Sequence, residues 1–447
     1  MRRDGQDSAG SDLRARSGAV NARRVGLALG LALALAVVLA SCGGDGNQPA
    51  PPTKAAPETV LSGPLPPSLV QVAKDVAQLR GLPAPDGLQM GFVPRANVPA
   101  LLDRLLSDDD RAKFAQTTTL YRLLGHFRPD EDYLSIYRQL GAESAAGLYS
   151  PPDKTLWIVQ KGDAPPDLNS LSREAKSTLA HELVHATQDA AFDLEALSGN
   201  GDLDATLALT CLIEGDAVAH QGLYAAKYLA STGSAAGADR LAGFVSDIPP
   251  SLNREFFFPY TTCADWVQSA RESGGTAAIN ALFRNPPKST ALVLHPERGL
   301  NWRPSAVSLP DLAHALGSGW KRKSGGTLGE FQLRNYLQLR LPGLRSSIVA
   351  AGWAGDRYDV YSQGQESVAV FRVAFDDETK AAGFRAAQDD LLSAAGAKAT
   401  LTGGVSVASR ADGNTTARLS GSGREVIFAI GSNADVSRRA LIIVGGG

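Results

Sequence analysis

Hydrophobic and polar positions fall into distinct regimes along the chain. Residues Val25–Ala40 are sixteen uncharged, almost purely aliphatic positions, with Arg23 and Arg24 just before them. Residues 43–67 are rich in Gly, Pro and Ala and carry no periodicity, which predicts a flexible tether. Apolar residues then recur at helical spacing in Ser68–Leu79 and Val98–Leu106, while the charged run Ser107–Asp110 predicts a solvated loop. The pattern switches at Ala146–Tyr149 and Thr155–Gln160, two short strand-like runs around a Ser-Pro-Pro-Asp-Lys turn, which predict a β-hairpin. Long helices follow at Ser172–Ala190 and at about Asp204–Ala230, with Asp204 as the expected cap. Gly- and Pro-rich breaks separate further helices up to about Leu341. From Arg345 the alternation of Tyr358–Tyr361 and Ser367–Phe375 predicts strands. Asp376–Ala394 predicts a helix, and Thr415–Ser420, Glu425–Ile430 and Ala440–Val444 predict further strands. The expected architecture is α+β: a mainly helical domain over 68–344 with a small β-hairpin or sheet, and a small α+β domain over 345–447.

Composition narrows the function classes. Over 447 residues, 44% apolar and 20% charged residues exclude wholesale disorder and a polytopic membrane protein. The net charge is −2, and the six Arg and three Asp of residues 1–41 leave 38 basic and 43 acidic side chains beyond them, so nothing favours a nucleic-acid partner. The apolar run is shorter than the ~20 residues that span a bilayer. A basic flank, a short apolar core and small residues at its end predict a secretory signal over 1–41. Leu39-Ala40-Ser41-Cys42 resembles the bacterial lipobox. That resemblance implies lipidation of Cys42, a tether over 42–67 and a lipid-anchored, extracytoplasmic place in the cell envelope. Beyond it only Cys211 and Cys263 remain; they can pair in an oxidising compartment or stay separate as small buried hydrophobes, and the sequence leaves both readings open.

His181-Glu182-Leu183-Val184-His185 carries the chemistry. Two histidines four apart on a helix lie about 40° apart around its axis, so both can grip one metal ion. Glu182 is rotated by about 100°, a position from which a general base reaches a water beside the ion. Leu179, Leu183, Ala186 and Ala190 fall on the opposite face. Zinc requires a third protein ligand. The extension HExxHxxGxxH is absent, because positions 188 and 191 are Gln and Ala. Glu214, an acid within the otherwise apolar Leu212–Ala217, is the leading candidate, since an unpaired carboxylate there would be costly. Asp216 and His220 are the alternatives. Gly215 points to close packing beside the site. His295 and Tyr260 are candidate donors to an oxyanion. Thr155–Gln160 is read as an edge strand able to pair with an extended peptide. His126 and His314 have no partner motif, and the Gly352–Tyr358 segment predicts a domain junction.

The motifs HELVHATQD, LIEGDA, FPYTTC, NPPKSTALVLHPE and GWAGDRY resemble those of a group of bacterial lipoproteins and secreted proteins, largely uncharacterised and regarded as zinc metallopeptidases of the zincin type. The resemblance runs from about Gly81 to Tyr358 and more loosely through the C-terminal domain. It implies Zn2+ as cofactor, His181, His185 and Glu214 as ligands, Glu182 as base, and a peptide or protein as substrate. In zincins of the glutamate class an acid four residues after the ligand glutamate orients a histidine; here that position is Val218, leaving Asp189 or Asp216 for the role. The competing expectation is a non-enzymatic surface lipoprotein with a structural or vestigial metal site.

Overall fold

The computed structural model describes residues 34–37, 58–61, 65–160, 167, 171–198, 201–229 and 248–445. Most of the signal segment, Cys42 and most of the tether lie outside the described residues. No helix among the described residues is long and apolar enough to cross a membrane. The chain is α+β, with two sheets.

The first sheet comprises β1 (Ala34–Val37), β2 (Thr59–Val60), β3 (Gln89–Pro94), β4 (Ala145–Ser150) and β5 (Thr155–Gln160), in the order β1-β4-β5-β3-β2. The hairpin β4–β5 forms as expected, with Leu148 opposite Trp157. The expectation that Thr155–Gln160 is an edge strand is wrong. Gln89–Pro94, which lies between the two stretches of helical spacing, pairs parallel to β5 on its other side, so both hydrogen-bonding rims of β5 are occupied. Beyond β4 the sheet continues only with the four residues of β1, which come from the apolar run of the signal segment.

Helices pack against this sheet and one another. These are α1 (Pro67–Arg80), α2 (Val98–Leu105), α3 (Asp108–Leu124), α4 (Tyr133–Ser144), α5 (Arg173–Phe192), α6 (Leu203–Tyr228), α7 (Pro250–Phe257) and α8 (Thr262–Arg284), the last kinked at Gly274 and Gly275. Two local expectations fail for the same reason, helix capping. Ser107–Asp110 is not a loop: the Ser107 side chain accepts from the Asp110 amide while the Asp110 carboxylate accepts from the Ser107 amide, and three aspartates face the positive end of α3. Asp204 does not cap α6. Asp202 does, and Asp204, two residues on in the first turn, is buried, accepting from the Thr290 amide at 2.9 Å and its hydroxyl at 2.5 Å.

The second sheet is antiparallel throughout, in the order β6-β7-β8-β12-β11-β10-β9. Its strands are β6 (Lys321–Gly326), β7 (Trp353–Gln363), β8 (Glu366–Phe375), β9 (Ala399–Thr402), β10 (Val405–Ser409), β11 (Thr415–Leu419) and β12 (Glu425–Gly431). Its first strand thus lies before the expected junction at 344/345. Two helices precede β7, α9 (Gly329–Leu337) and α10 (Gly343–Ala350), and two belong to the sheet, α11 (Glu378–Ala394) and α12 (Ala434–Gly445). The predicted strand Ala440–Val444 is therefore helical. Its run of Leu, Ile and Val has strand propensity, but Val436, Ala440, Leu441 and Val444 share one helical face, and that face covers Val368 and Val370 of β8. The opposite side chains of β8, Phe371 and Phe375, meet α11 through Phe384. The same core contains Leu120, Tyr121 and Leu124 of α3 and Tyr336 of α9. Asp356 fastens this sheet to α9 by accepting from the amides of Leu328 and Gly329 and from the Trp353 indole.

Candidate metal centre

Helix α5 starts at a capping serine, Ser172, and is buried all round from Thr178 to Gln188. Leu179, Ala180, Leu183 and Val184 pack with Leu69, Val72 and Val76 of α1, as the apolar face requires. Ala186 is also buried, whereas Ala190 is exposed. The ligand-bearing face is covered by α6, which brings Glu214 to the two histidines.

The donor atoms of His181, His185 and Glu214 all lie within 4.8 Å of one another. His181 Nε2 is 3.1 Å from His185 Nε2 and 3.2 Å from Glu214 Oε2, and His185 Nε2 is 3.5 Å from the same oxygen. A tetrahedron with bonds of ~2.0–2.1 Å has edges of roughly 3.3 Å. The three donors therefore already span one face of a zinc polyhedron. All three residues are buried, and the electrostatics follow from their crowding. Burial pushes the Glu214 carboxyl up, but the His185 and His181 imidazoles outweigh it and hold the group low. The two histidines diverge: burial dominates at His181 and lowers it, whereas at His185 Glu214 overcomes burial and raises it.

Each histidine is oriented by a glutamine. Gln188 Oε1 lies 3.0 Å from His185 Nδ1, and Gln188 Nε2 donates to the Ile213 carbonyl at 3.0 Å and to Asp216 Oδ2 at 2.8 Å. Both of those groups can only accept, so the amide orientation is determined and Oε1 must face His185. Nδ1 of His185 then donates to Gln188, and Nε2 is the nitrogen left facing His181 and Glu214, the one that would bind a metal. Gln221 Oε1 does the same for His181 Nδ1 at 3.2 Å, with its amide donating to Ser177.

Asp216 is therefore a support and not a ligand. It is fully buried and accepts from Arg80 Nε at 2.7 Å, and His220 Nδ1 lies 2.8 Å from its other oxygen. Burial pushes its carboxyl up, but Arg80 and then His220 hold it down to about 2. His220 belongs to this support as well. Asp189 accepts instead from Tyr149 and from the Leu194 amide.

Glu182 is fully buried on the flank of the metal face and packs against β4. Gly147 makes room for it: a Cβ at that position would start 3.3 Å from Glu182 Cγ. Tyr260 also reaches the site. Its ring stacks on His181 with centroids 6.3 Å apart, and its hydroxyl hydrogen-bonds Glu214. Burial and then that carboxylate push the phenol well up, so it remains protonated at neutral pH. His295 is placed otherwise, with its ring nitrogens at Glu330 (2.7 Å) and Glu297 (3.2 Å). His314 is exposed, and His126 is buried against Tyr121 with neither ring nitrogen hydrogen-bonded.

Cys211 and Cys263 form a disulfide between α6 and the start of α8, with Cα atoms 5.0 Å apart. The bond sits one turn before Glu214 and three residues after Tyr260. Gly215 permits the approach: a Cβ there would lie 2.7 Å from the Cys263 carbonyl oxygen.

A family described as a domain of unknown function (DUF8575) matches residues 268–440. That segment runs from within α8 to within α12; it includes His295 but none of His181, Glu182, His185, Glu214 or Tyr260. No curated protein and no solved structure matches the chain.

Proposed function

We propose that the chain is a zinc metallopeptidase of zincin type, held outside the cytoplasm by a lipid on Cys42. The observation that carries this reading is the convergence of His181, His185 and Glu214 at tetrahedral spacing with Glu182 buried beside them and not among the donors. Zinc bound there would supply Lewis-acid polarisation and a water acidified to near neutrality. Glu182 would be the base that takes a proton from such a water and returns it to the leaving amine. Tyr260, kept protonated and hydrogen-bonded to Glu214, would donate to the developing oxyanion by turning its one hydroxyl proton away from Glu214 once a metal held that carboxylate. His295 lacks comparable support, since its ring is engaged by Glu330 and Glu297. The strand beside Glu182 is β4, and with the signal segment removed its outer rim is free to pair with an extended peptide.

The competing reading, a lipoprotein whose metal is structural, draws on the near-complete burial of the three ligands. A Glu182→Gln variant separates the two. Hydrolysis of a peptide library should fall by ~10²-fold or more while zinc content stays at wild-type level, the signature of a lost general base. Unchanged turnover refutes the assignment of Glu182, and absence of cleavage by zinc-loaded wild type across the library favours the structural metal.

A further inference from the structure

A cavity of about 100 Å3 adjoins the metal centre and shares Glu214 and Tyr260 with it. One wall is the stripe Leu203, Leu207, Thr210 of α6, at the helical spacing that ends on Glu214. The facing walls come from Tyr137 of α4 and from Leu252 and Phe256 of α7. Leu203, Leu207, Tyr137 and Phe256 are each only half-buried, so apolar surface converges there without being closed into the core.

We propose that this cavity is the specificity pocket of the enzyme, receiving a branched aliphatic side chain of leucine size from the residue next to the scissile bond. The inference rests on the metallopeptidase reading and adds the substrate class. Position supplies the first reason, because a group in the cavity lies against the same carboxylate and phenol that face the ion. Size supplies the second: an apolar cavity of ~150 Å3 takes a benzene ring, and this one is smaller. Charge supplies the third. Apart from Glu214 the only acid in the wall is Glu255, and its two oxygens accept from the hydroxyls of Tyr121 at 2.6 Å and Tyr133 at 2.8 Å. Burial raises that carboxyl as well, so the wall does not call for a basic side chain.

The test is calorimetric titration of the zinc-loaded mature chain with glycine, leucine and phenylalanine hydroxamates, which chelate the metal and differ only in side chain. Leucine hydroxamate should bind at least ~10-fold tighter than the glycine compound, the scale of aliphatic recognition in an apolar pocket, and also tighter than the phenylalanine compound. Leu207→Phe should reduce the leucine preference to under ~3-fold without changing zinc content or glycine hydroxamate affinity, because only pocket volume is lost. Phe256→Ala should shift the preference toward phenylalanine hydroxamate. Equal affinity for the glycine and leucine compounds, or tighter binding of phenylalanine hydroxamate by wild type, overturns the pocket and leaves the metal reading standing. Failure of all three to bind the zinc-loaded protein overturns the metallopeptidase reading and the pocket together, because the metal then has no open position. Should Leu207→Phe not fold, the wild-type series decides alone.

Discussion

Gln188 offers the most direct probe of how the fold prepares the proposed metal ligands. Replacing it with Met keeps the bulk and removes three hydrogen bonds, to His185 Nδ1, to the Ile213 carbonyl and to Asp216. Asp216 is not stranded, since Arg80 and His220 still face it. His185 is the partner that suffers, left buried with no acceptor for its Nδ1 proton. Loss of such an outer partner typically weakens metal binding by ~10–100-fold, or roughly 1.4–2.7 kcal/mol. The folding cost is of similar size, about 1–3 kcal/mol for a buried group left unpaired. Zinc affinity is read by competition with a chromophoric chelator at fixed pH, and ligand geometry by the visible spectrum of the cobalt-loaded protein. Gln188→Glu makes the contrast: it keeps an acceptor for His185 but sets a second carboxylate against Asp216, so stability should fall further than metal affinity. A Gln188→Met protein with a zinc Kd within twofold of wild type and an unchanged cobalt spectrum would refute the orienting role.

Three further outcomes follow from the same structure. Burial pushes the Asp204 carboxyl up to about 7 against the hydrogen bonds from Ser289 and Thr290, and because the unfolded value is near 3.9 the native state keeps a proton that the unfolded chain releases. Its contribution is therefore complete below pH ~4 and lost as pH rises through 7, on the order of 4 kcal/mol; Asp204→Asn should remove that slope from urea denaturation between pH 5 and 8, and a slope equal to wild type would exclude Asp204 as its source. Cys211 and Cys263 lie 52 residues apart, so replacing both with Ser should cost about 4 kcal/mol by the chain-entropy argument and loosen zinc binding through Glu214; denaturation midpoints that coincide under oxidising conditions would deny the bond. Cys42→Ser should release the protein from membranes on fractionation or block its maturation, whereas full retention would indicate an uncleaved anchor.

The legible parts of this chain are those whose determinants are local. The spacing of His181 and His185 encodes a shared face by itself, and Glu214 stood out as an acid among apolar neighbours. Both glutamines were visible in principle: Gln188 falls one turn after His185 and Gln221 two turns after Glu214, each on a ligand face where an amide has no reason to be unless it has a partner. What the sequence withheld depends on distant partners. Thr155–Gln160 reads as an edge until Gln89–Pro94 pairs with it from sixty residues away. Ala440–Val444 has strand propensity until the sheet beneath it demands a helix. Ser107–Asp110 looks like a solvated charge run because the helix it caps begins inside that run. The disulfide was undecidable because nothing local brings α6 to α8; the missing side chain at Gly215 does, and only in three dimensions.

The core shared by α3 and the C-terminal sheet has a consequence for how the molecule comes apart. Leu120, Tyr121 and Leu124 are buried with Phe371, Phe384 and Phe428, and Arg410 from beyond β10 donates to the Leu123 and Leu124 carbonyls. Tyr121 in turn holds Glu255. Cutting the chain at 344/345 would expose that aromatic surface and remove the support under Tyr121, so the half that carries the His181–His185–Glu214 cluster should not fold by itself. Thermal denaturation should proceed as one cooperative transition. Substitutions deep in the C-terminal sheet, far from His181, His185 and Glu214, then disperse that cluster by lowering the stability of the whole.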